Sequence, residues 1–537
     1  QGDTQEWTYK TLLELVKKQS AALEASGLEK GDRVAVWAGC RPETVALTLA
    51  CSRLGLVFVP LSKKIPLLPA ADRVMDAEAK ILFFEAEEEG ASQEGERLEE
   101  ILEGVELVNF ASREGEGASA GQGEAYDSWF ARGEVEGDGP APVSVDAEHP
   151  LLFLYAHASS SIPRASVFAT GGYLVGAATS YDQIFGIIAQ ETERMGVVST
   201  VDLCGASGLS YALWGPLLHG HTLVVAEGHR DISAERLFST MEAFWPLSLL
   251  TSPRMLSAWR RELGDAELGH KLRFSLVVSC GDMLTPRLAR FGANTLAVSP
   301  ERMVNMWLQS ETGAALLSTY PDPQMEKPGA VGVLAYGVHG KVISDFGEDC
   351  RPNESGQLVF CSSWPSMVRT LWGQEERFEE IYFQRVQGCF STNDGMRIDR
   401  DGVFWFMRRL DDVVKVQGHS VPTSEVEAVL LSHDDVDEVA VVGVAGEGGD
   451  SLVAFVVAEK LADDAKARER LEKSLAEHLS ARVGAFFVPS RFYVSSALPR
   501  TRSGKVVRRL LNRIAAGDAS SGADPSHLAH PQTVKAL

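Results

Sequence analysis

The chain is short of positive charge. Its 51 Lys and Arg face 74 Asp and Glu, for a formal net charge of −23. That balance excludes broad binding to nucleic acid or to an anionic membrane, since either demands extended positive surface. An anionic ligand would need a locally basic pocket. Long apolar runs are missing too, and none approaches the roughly 18 residues of a membrane span. Cysteine is sparse: seven in 537 residues, at positions 40, 51, 204, 280, 350, 361 and 389, with no CxxC pair. This scatter offers no metal-site spacing and suits buried thiols in a reducing, intracellular compartment. The end QGDTQEWTYK has neither the basic nor the apolar region of a signal peptide, and nothing separates a mitochondrial from a cytoplasmic location.

One further absence is local. YAHASSSIPRA (155–165) lies between an apolar run, LLFLY, and SVFATGGYL. A strand, a Ser-rich loop and a helix N-terminus form a common phosphate cradle. Such loops normally need glycine, and this one has none.

What is present is the composition of an ordinary globular protein, 45% hydrophobic and 23% charged, at a length suited to about two to four domains. TLLELVKKQSAALEASG (11–27) has apolar residues at helical spacing and stops at Gly27. RVAVWAG (33–39) reads as strand, ETVALTLACSRLG (43–55) as helix and KILFF (80–84) as strand. This alternation points to an α/β sheet that is largely parallel. From residue 85 to 142 the texture turns to Glu, Gly, Ser and Ala, as in EAEEEGASQEGE, which predicts a solvated acidic insertion. The strand–helix rhythm resumes at Pro150, with TLVVAEG (222–228) and SLVVSCG (275–281) as strands. Near residue 410 it shifts to EVEAVLLSH, EVAVVGVAG and SLVAFVVAE, a helix–strand–strand series that predicts a separate small α+β domain. The tail after Gly517 lacks periodicity and reads as extended.

SWPSMVRTLWGQEERFEEIYF (363–383), WLQSETG (307–313) and LPRTRSGKVVRR (498–509), together with GGYL (171–174), YALWGPLLHG (211–220) and RRLDDVVKVQGHS (408–420), resemble the acetyl-CoA synthetases of the adenylate-forming acyl-CoA synthetase superfamily. The likeness runs over roughly residues 8–515, and the 363–383 segment is specific to the acetyl-CoA synthetase branch. It implies a large N-terminal domain of mixed α/β layers (1–410, carrying the 85–142 insertion), a smaller α+β C-terminal domain (411–517) and a tail (518–537). It also implies a hinge at Asp411, about which the small domain rotates between two half-reactions. In these, a short carboxylate and ATP give an acyl adenylate and pyrophosphate, and CoA then takes the acyl group and releases AMP.

Residue by residue, the resemblance implies roles that the bare sequence leaves open. Asp394, in STNDG, matches the family aspartate that accepts the ribose hydroxyls, a task suited to two acceptor oxygens; taken alone it reads as a turn residue before Gly395. Glu311, in SETG, matches a magnesium-associated carboxylate, a hard ligand beside phosphates; taken alone it reads equally as a helix-capping acid. Gln309 and Thr312 would flank adenine and the α-phosphate, and Gly281 and Asp282 belong to the adenine loop. Lys505 matches the mobile catalytic lysine, whose ammonium serves charge developing in the transition state; taken alone it belongs to a solvated basic run. Arg409 matches a nucleotide-contacting arginine, and Gly418 lies in the turn that would admit CoA.

The departures weigh more. Ala158, Ser161 and Ala165 stand where the phosphate loop has glycine, and Arg164 replaces lysine. Glycine admits positive φ and lets backbone N–H groups approach phosphate; another residue forced there costs about 1–2 kcal/mol. Ser159 and Ser160 can still donate hydroxyl hydrogen bonds, which leaves weak nucleotide binding in place. Ser420 replaces a phosphate-contacting arginine, Asn393 replaces the glycine before Asp394, and GDM (281–283) replaces Gly-Glu-Pro. Leu308 stands where acetyl-specific members close the acyl pocket with tryptophan, although Arg254 can fill the space. The expectation is an acetyl-CoA-synthetase-like chain with impaired or lost catalysis, acting as a structural or regulatory subunit held by protein partners. The alternative is an active short-chain acyl-CoA synthetase with an atypical phosphate loop, using ATP, CoA and Mg²⁺.

Overall fold

The computed structural model describes the chain except residues 1–4, 64, 66, 87–90, 111–122, 134–138, 156–164, 192–194, 227–232, 238–246, 264–273, 322–326, 345–346, 385, 410–412, 417–418, 445–450, 459–464, 483–486, 501–505 and 518–537. By contacts it divides into two units, residues 1–339 with 361–388 and residues 340–360 with 389–537.

The first unit opens with helix α1 (Tyr9–Ala25), two residues earlier than the periodicity predicts because Thr8 caps it, accepting from the Thr11 N–H at 3.1 Å. Strand β1 (Arg33–Ala38) follows, then helix α2 (Pro42–Leu54), begun by proline at its first turn and ended by Gly55 in the left-handed region. Next come β2 (Val57–Ser62), α3 (Leu67–Asp76) and β3 (Ala79–Phe84). β1 pairs parallel with both β2 and β3, and each of these strands is buried almost end to end, as expected of a parallel sheet covered on both faces.

The acidic stretch departs from its expectation. Within it, α4 (Ala91–Ile101), β4 (Glu106–Asn109), β5 (Glu124–Ala125) and α5 (Tyr126–Ala131) are ordered elements, and β4 and β5 extend the sheet in parallel beyond β3. Trp129 is fully buried edge-on against Phe83 at 4.6 Å, and the Tyr126 hydroxyl accepts from Gln19 of α1 at 2.7 Å. A few aromatics supply the burial that the average composition conceals. β6 (Pro150–Tyr155) continues the sheet on its other side, followed by antiparallel β7 (Ala165–Ala169) and β17 (Thr370–Leu371), in the order β17-β7-β6-β2-β1-β3-β4-β5.

Helix α6 (Thr170–Glu191) leads to a second sheet: β8 (Gly196–Ser199), β9 (Thr222–Val224), β10 (Ser248–Thr251), β11 (Leu276–Ser279), β12 (Met303–Trp307), β13 (Leu317–Ser318) and β14 (Val333–Leu334), ordered β14-β13-β12-β11-β10-β8-β9. β8 to β12 are parallel, while β13 and β14 are antiparallel. Parallel pairing carries the chain out at one end of the sheet, where α/β proteins place their ligands.

The second unit holds an antiparallel sheet of β15 (Gly340–Ile343), β16 (Ser355–Phe360), β18 (Phe390–Ile398) and β19 (Phe404–Arg409) and the ribbon β20 (Val413–Val416) with β21 (His419–Pro422). It also holds a three-stranded sheet of β22 (Glu438–Val444), β23 (Ser451–Val457) and β24 (Arg491–Ser495), with helices Thr423–Leu431, Ala465–Arg482 and Arg508–Ala515. The helix–strand–strand series read from the sequence is Thr423–Leu431, β22 and β23. Among the described residues no helix is long and apolar enough to cross a membrane.

The cysteines need correction. Cys51, Cys204 and Cys280 are buried thiols, and Cys40 and Cys350 are half-buried and outside any disulfide. Cys361 and Cys389 are disulfide-bonded, which sequence spacing cannot disclose.

Candidate functional site

Two neighbouring parallel strands, β11 and β12, deliver the first unit's site residues from adjacent ends. After β11, Cys280 is buried with its sulfur 3.7 Å from the Thr251 carbonyl, and burial pushes its thiol up to about 12, so it is no nucleophile at neutral pH. Gly281 has φ +91, and a Cβ there would meet nothing within 4 Å. The turn asks for glycine because of its backbone angle alone. Asp282 is exposed, and its Oδ1 accepts from the next residue's N–H at 2.8 Å.

After β12 come half-buried Leu308 and the tight turn Ser310–Thr312. Gln309 and Thr312 close it reciprocally: the Gln309 side chain accepts from the Thr312 N–H, and the Thr312 hydroxyl accepts from the Gln309 N–H at 3.0 Å. That box leaves Glu311 uncommitted as a cap, so the capping reading moves to its neighbours. Thr312 is fully buried, with its hydroxyl 2.8 Å from the Ala314 carbonyl, and in this arrangement it serves the loop.

Residues far away in sequence hold this turn. Trp364 Nε1 and Ser366 Oγ donate to the Thr312 carbonyl at 3.0 and 2.8 Å. The Val368 N–H donates to the Glu311 carbonyl at 3.1 Å, and the Tyr382 hydroxyl to Glu311 Oε1 at 2.8 Å. Ser210 donates to the Gly313 carbonyl at 2.6 Å, and the Ala315 N–H donates to the Tyr211 hydroxyl at 2.6 Å. Gly313 has φ +70, and a Cβ would lie 2.4 Å from the Ser366 carbonyl oxygen. The holders Ser210, Trp364, Ser366 and Tyr382 were not singled out from sequence, although Tyr211, Trp364, Ser366 and Tyr382 lie inside stretches that carried the resemblance. Arg254, half-buried at the start of helix Pro253–Leu263, follows the neighbouring strand β10.

In the second unit, Asp394 sits on β18, almost wholly buried, opposite Arg409 of β19. Its N–H donates to Thr392 Oγ1 at 3.1 Å, and Thr392 Oγ1 donates to the Leu358 carbonyl at 2.8 Å. Asn393 has φ +56. It keeps the left-handed backbone that a glycine would supply, which asparagine tolerates better than most residues. Ala165 likewise sits without strain, buried in β7 opposite Tyr155. Ala158, Ser159, Ser160, Ser161, Arg164, Asp411, Gly418 and Lys505 lie outside the described residues, as do the side chains of Arg409 and Ser420.

With this geometry in place, the fold can be matched. An anthranilate CoA ligase in complex with anthranoyl-AMP superimposes with TM-score 0.81 over 96% of this chain and 93% of that one, at 20% identity. ATP-bound MatB from Rhodopseudomonas palustris gives TM-score 0.78 over 95% and 93%, at 21% identity. The class is that of the CoA ligase fold. AMP-binding enzymes match residues 1–372, and the AMP-binding enzyme C-terminal domain matches residues 425–505. Acetyl-coenzyme A synthetases of Chlorobaculum tepidum and Streptomyces coelicolor are each 32% identical over 541 residues, 97% of this chain and 79% and 81% of theirs. The chain belongs to the AMP-binding, adenylate-forming acyl-CoA synthetase superfamily and is acetyl-CoA-synthetase-like.

Proposed function

We propose that the chain keeps the adenylate end of the family's site and has a weakened end for the β- and γ-phosphates, so that acyl adenylation is impaired or lost. The observation that carries this is the loop sequence itself: Ala158, Ser161 and Arg164 replace two glycines and a lysine, and Ser420 replaces an arginine. Losing one preorganised donor costs about 10²–10³ in rate, and several are altered at once. The expected result is negligible acetate-dependent pyrophosphate exchange across a panel of short carboxylic acids. Turnover of about 1 s⁻¹ or more, the low end of ordinary enzymes, would sink this reading.

AMP should rival or exceed ATP as a ligand, because Asp394 and the Gly281–Asp282 turn serve the nucleoside end. Calorimetry finding ATP with magnesium at least tenfold tighter, about 1.4 kcal/mol, contradicts that. Ala158→Gly, Ser161→Gly and Arg164→Lys together should improve ATP binding selectively.

The donor set suits magnesium. Glu311 supplies one hard oxygen ligand, and among the described residues no group of three or more His, Cys, Asp or Glu forms a protein cage, so phosphate oxygens and water would complete the shell. The ion neutralises phosphate charge when bound, and Glu311 would hold it. Lys505 would serve the transition state and Gly418 would admit CoA.

A structural or regulatory subunit role follows, with the 85–142 insertion or the segment after Gly517, or both, as a partner contact. Light scattering that finds only a lone ~58 kDa species in gently prepared extract opposes it. The second reading is an active short-chain acyl-CoA synthetase. It is favoured by Asn393 and Ala165, which occupy glycine positions at little backbone cost, and by the fully built turn at 309–313.

A further inference from the structure

The carboxylate assigned to magnesium has a side-chain partner of its own. Tyr382 ends helix Glu375–Tyr382, in the segment that distinguishes the acetyl-CoA synthetase branch, and donates its hydroxyl to Glu311 Oε1 at 2.8 Å. Its ring is buried and packs 5.4 Å from that of Phe378. The other holders of this turn act on backbone: Val368 on the Glu311 carbonyl, Trp364 and Ser366 on the Thr312 carbonyl. Fixing the backbone does not fix a glutamate side chain, which has several rotatable bonds. Among the described residues, Tyr382 is the one whose side chain bonds the Glu311 carboxylate.

We propose that Tyr382 is a positioning residue that pins Glu311 Oε1 and thereby presents Oε2 to a divalent cation carrying the nucleotide phosphates. The proposal rests on the reading of Glu311 above. A hydrogen bond from phenol to carboxylate is charge-assisted and short, and outer partners of this kind orient metal ligands, their loss costing roughly 10–100-fold in metal affinity. With no group of three or more His, Cys, Asp or Glu among the described residues to share the task, orientation of the carboxylate contributed by this turn weighs more.

The test is calorimetry of ATP binding to the full chain, in EDTA and then with Mg²⁺ or Mn²⁺. Tyr382→Phe removes one oxygen and keeps the ring against Phe378. It should leave metal-free ATP affinity within about twofold of wild type while cutting the metal-dependent gain roughly tenfold. Glu311→Gln should abolish the gain. Equal loss with and without metal, together with a lowered melting temperature, would mean Tyr382 is only structural. A full metal-dependent gain in Tyr382→Phe would overturn the proposal and leave the function reading standing. Should Tyr382→Phe misfold, Tyr382→Leu, which removes the hydroxyl and keeps an apolar side chain at that buried position, must show the same selective loss. Wild-type protein that binds ATP with no metal-dependent gain would overturn the role of Glu311 and this proposal together.

Discussion

The turns at the ends of β11 and β12 are neighbours, yet they are held in different ways. The turn at 281–283 is set by its own residues: a positive-φ glycine with open space around it, and an exposed aspartate bonded to the next N–H. The turn at 309–313 is closed by its own box and then gripped by Ser210, Trp364, Ser366, Val368 and Tyr382. One can change residue by residue with local consequences. The other ties two remote segments to the site, so damage there spreads.

Alanine at the two glycines should separate them most clearly. At Gly313 a Cβ meets a carbonyl oxygen at 2.4 Å in addition to a positive φ, so Gly313→Ala is expected to lose about 3 kcal/mol or more. Gly281→Ala carries only the backbone term, about 1–2 kcal/mol. Urea denaturation of the full chain compares them, and equal losses would erase the distinction between the turns.

Trp364→Phe and Ser366→Ala sharpen it next. Each removes one donor to the Thr312 carbonyl and leaves the other, so each should cost about 1–2 kcal/mol. The double variant should cost more than the sum, because it leaves a buried carbonyl without either side-chain donor. Strict additivity would mean the two bonds do not share their acceptor's fate.

The smallest effect is expected at Asp282. Its side chain is exposed and bonded only locally among the described residues, so Asp282→Ala should shift stability by no more than about 0.5 kcal/mol. A larger drop in the melting curve would show that this turn also has long-range support.

Much of the architecture was legible beforehand. Periodicity located α2, β3, β11, β22 and β23 to within a few residues, because period-two and helical patterns record which face of a local segment is buried. Motif identity also singled out Gly281, Glu311 and Asp394 as candidates, since turn chemistry and acceptor geometry belong to individual residues. Within the acidic stretch, the described residues are more built into the fold than composition suggests, and the reason is physical. Its low average hydrophobicity hid Tyr126 and Trp129, and one well-placed aromatic contributes about 2–3 kcal/mol of burial whatever surrounds it.

By itself, then, the sequence determined the α/β alternation, the small second unit's helix–strand–strand core, and which residue types stand at the positions that the resemblance gives to the nucleotide. Only the tertiary structure decided what those residues are bonded to. Tyr382 lies 71 positions from Glu311, and no local pattern records a contact closed over such a distance. The same holds for the glycine replacements. A letter in the sequence says that Asn393 and Ala165 are not glycine, but whether this strains the chain depends on backbone angles set by strand pairing: left-handed at Asn393 and extended within β7 at Ala165.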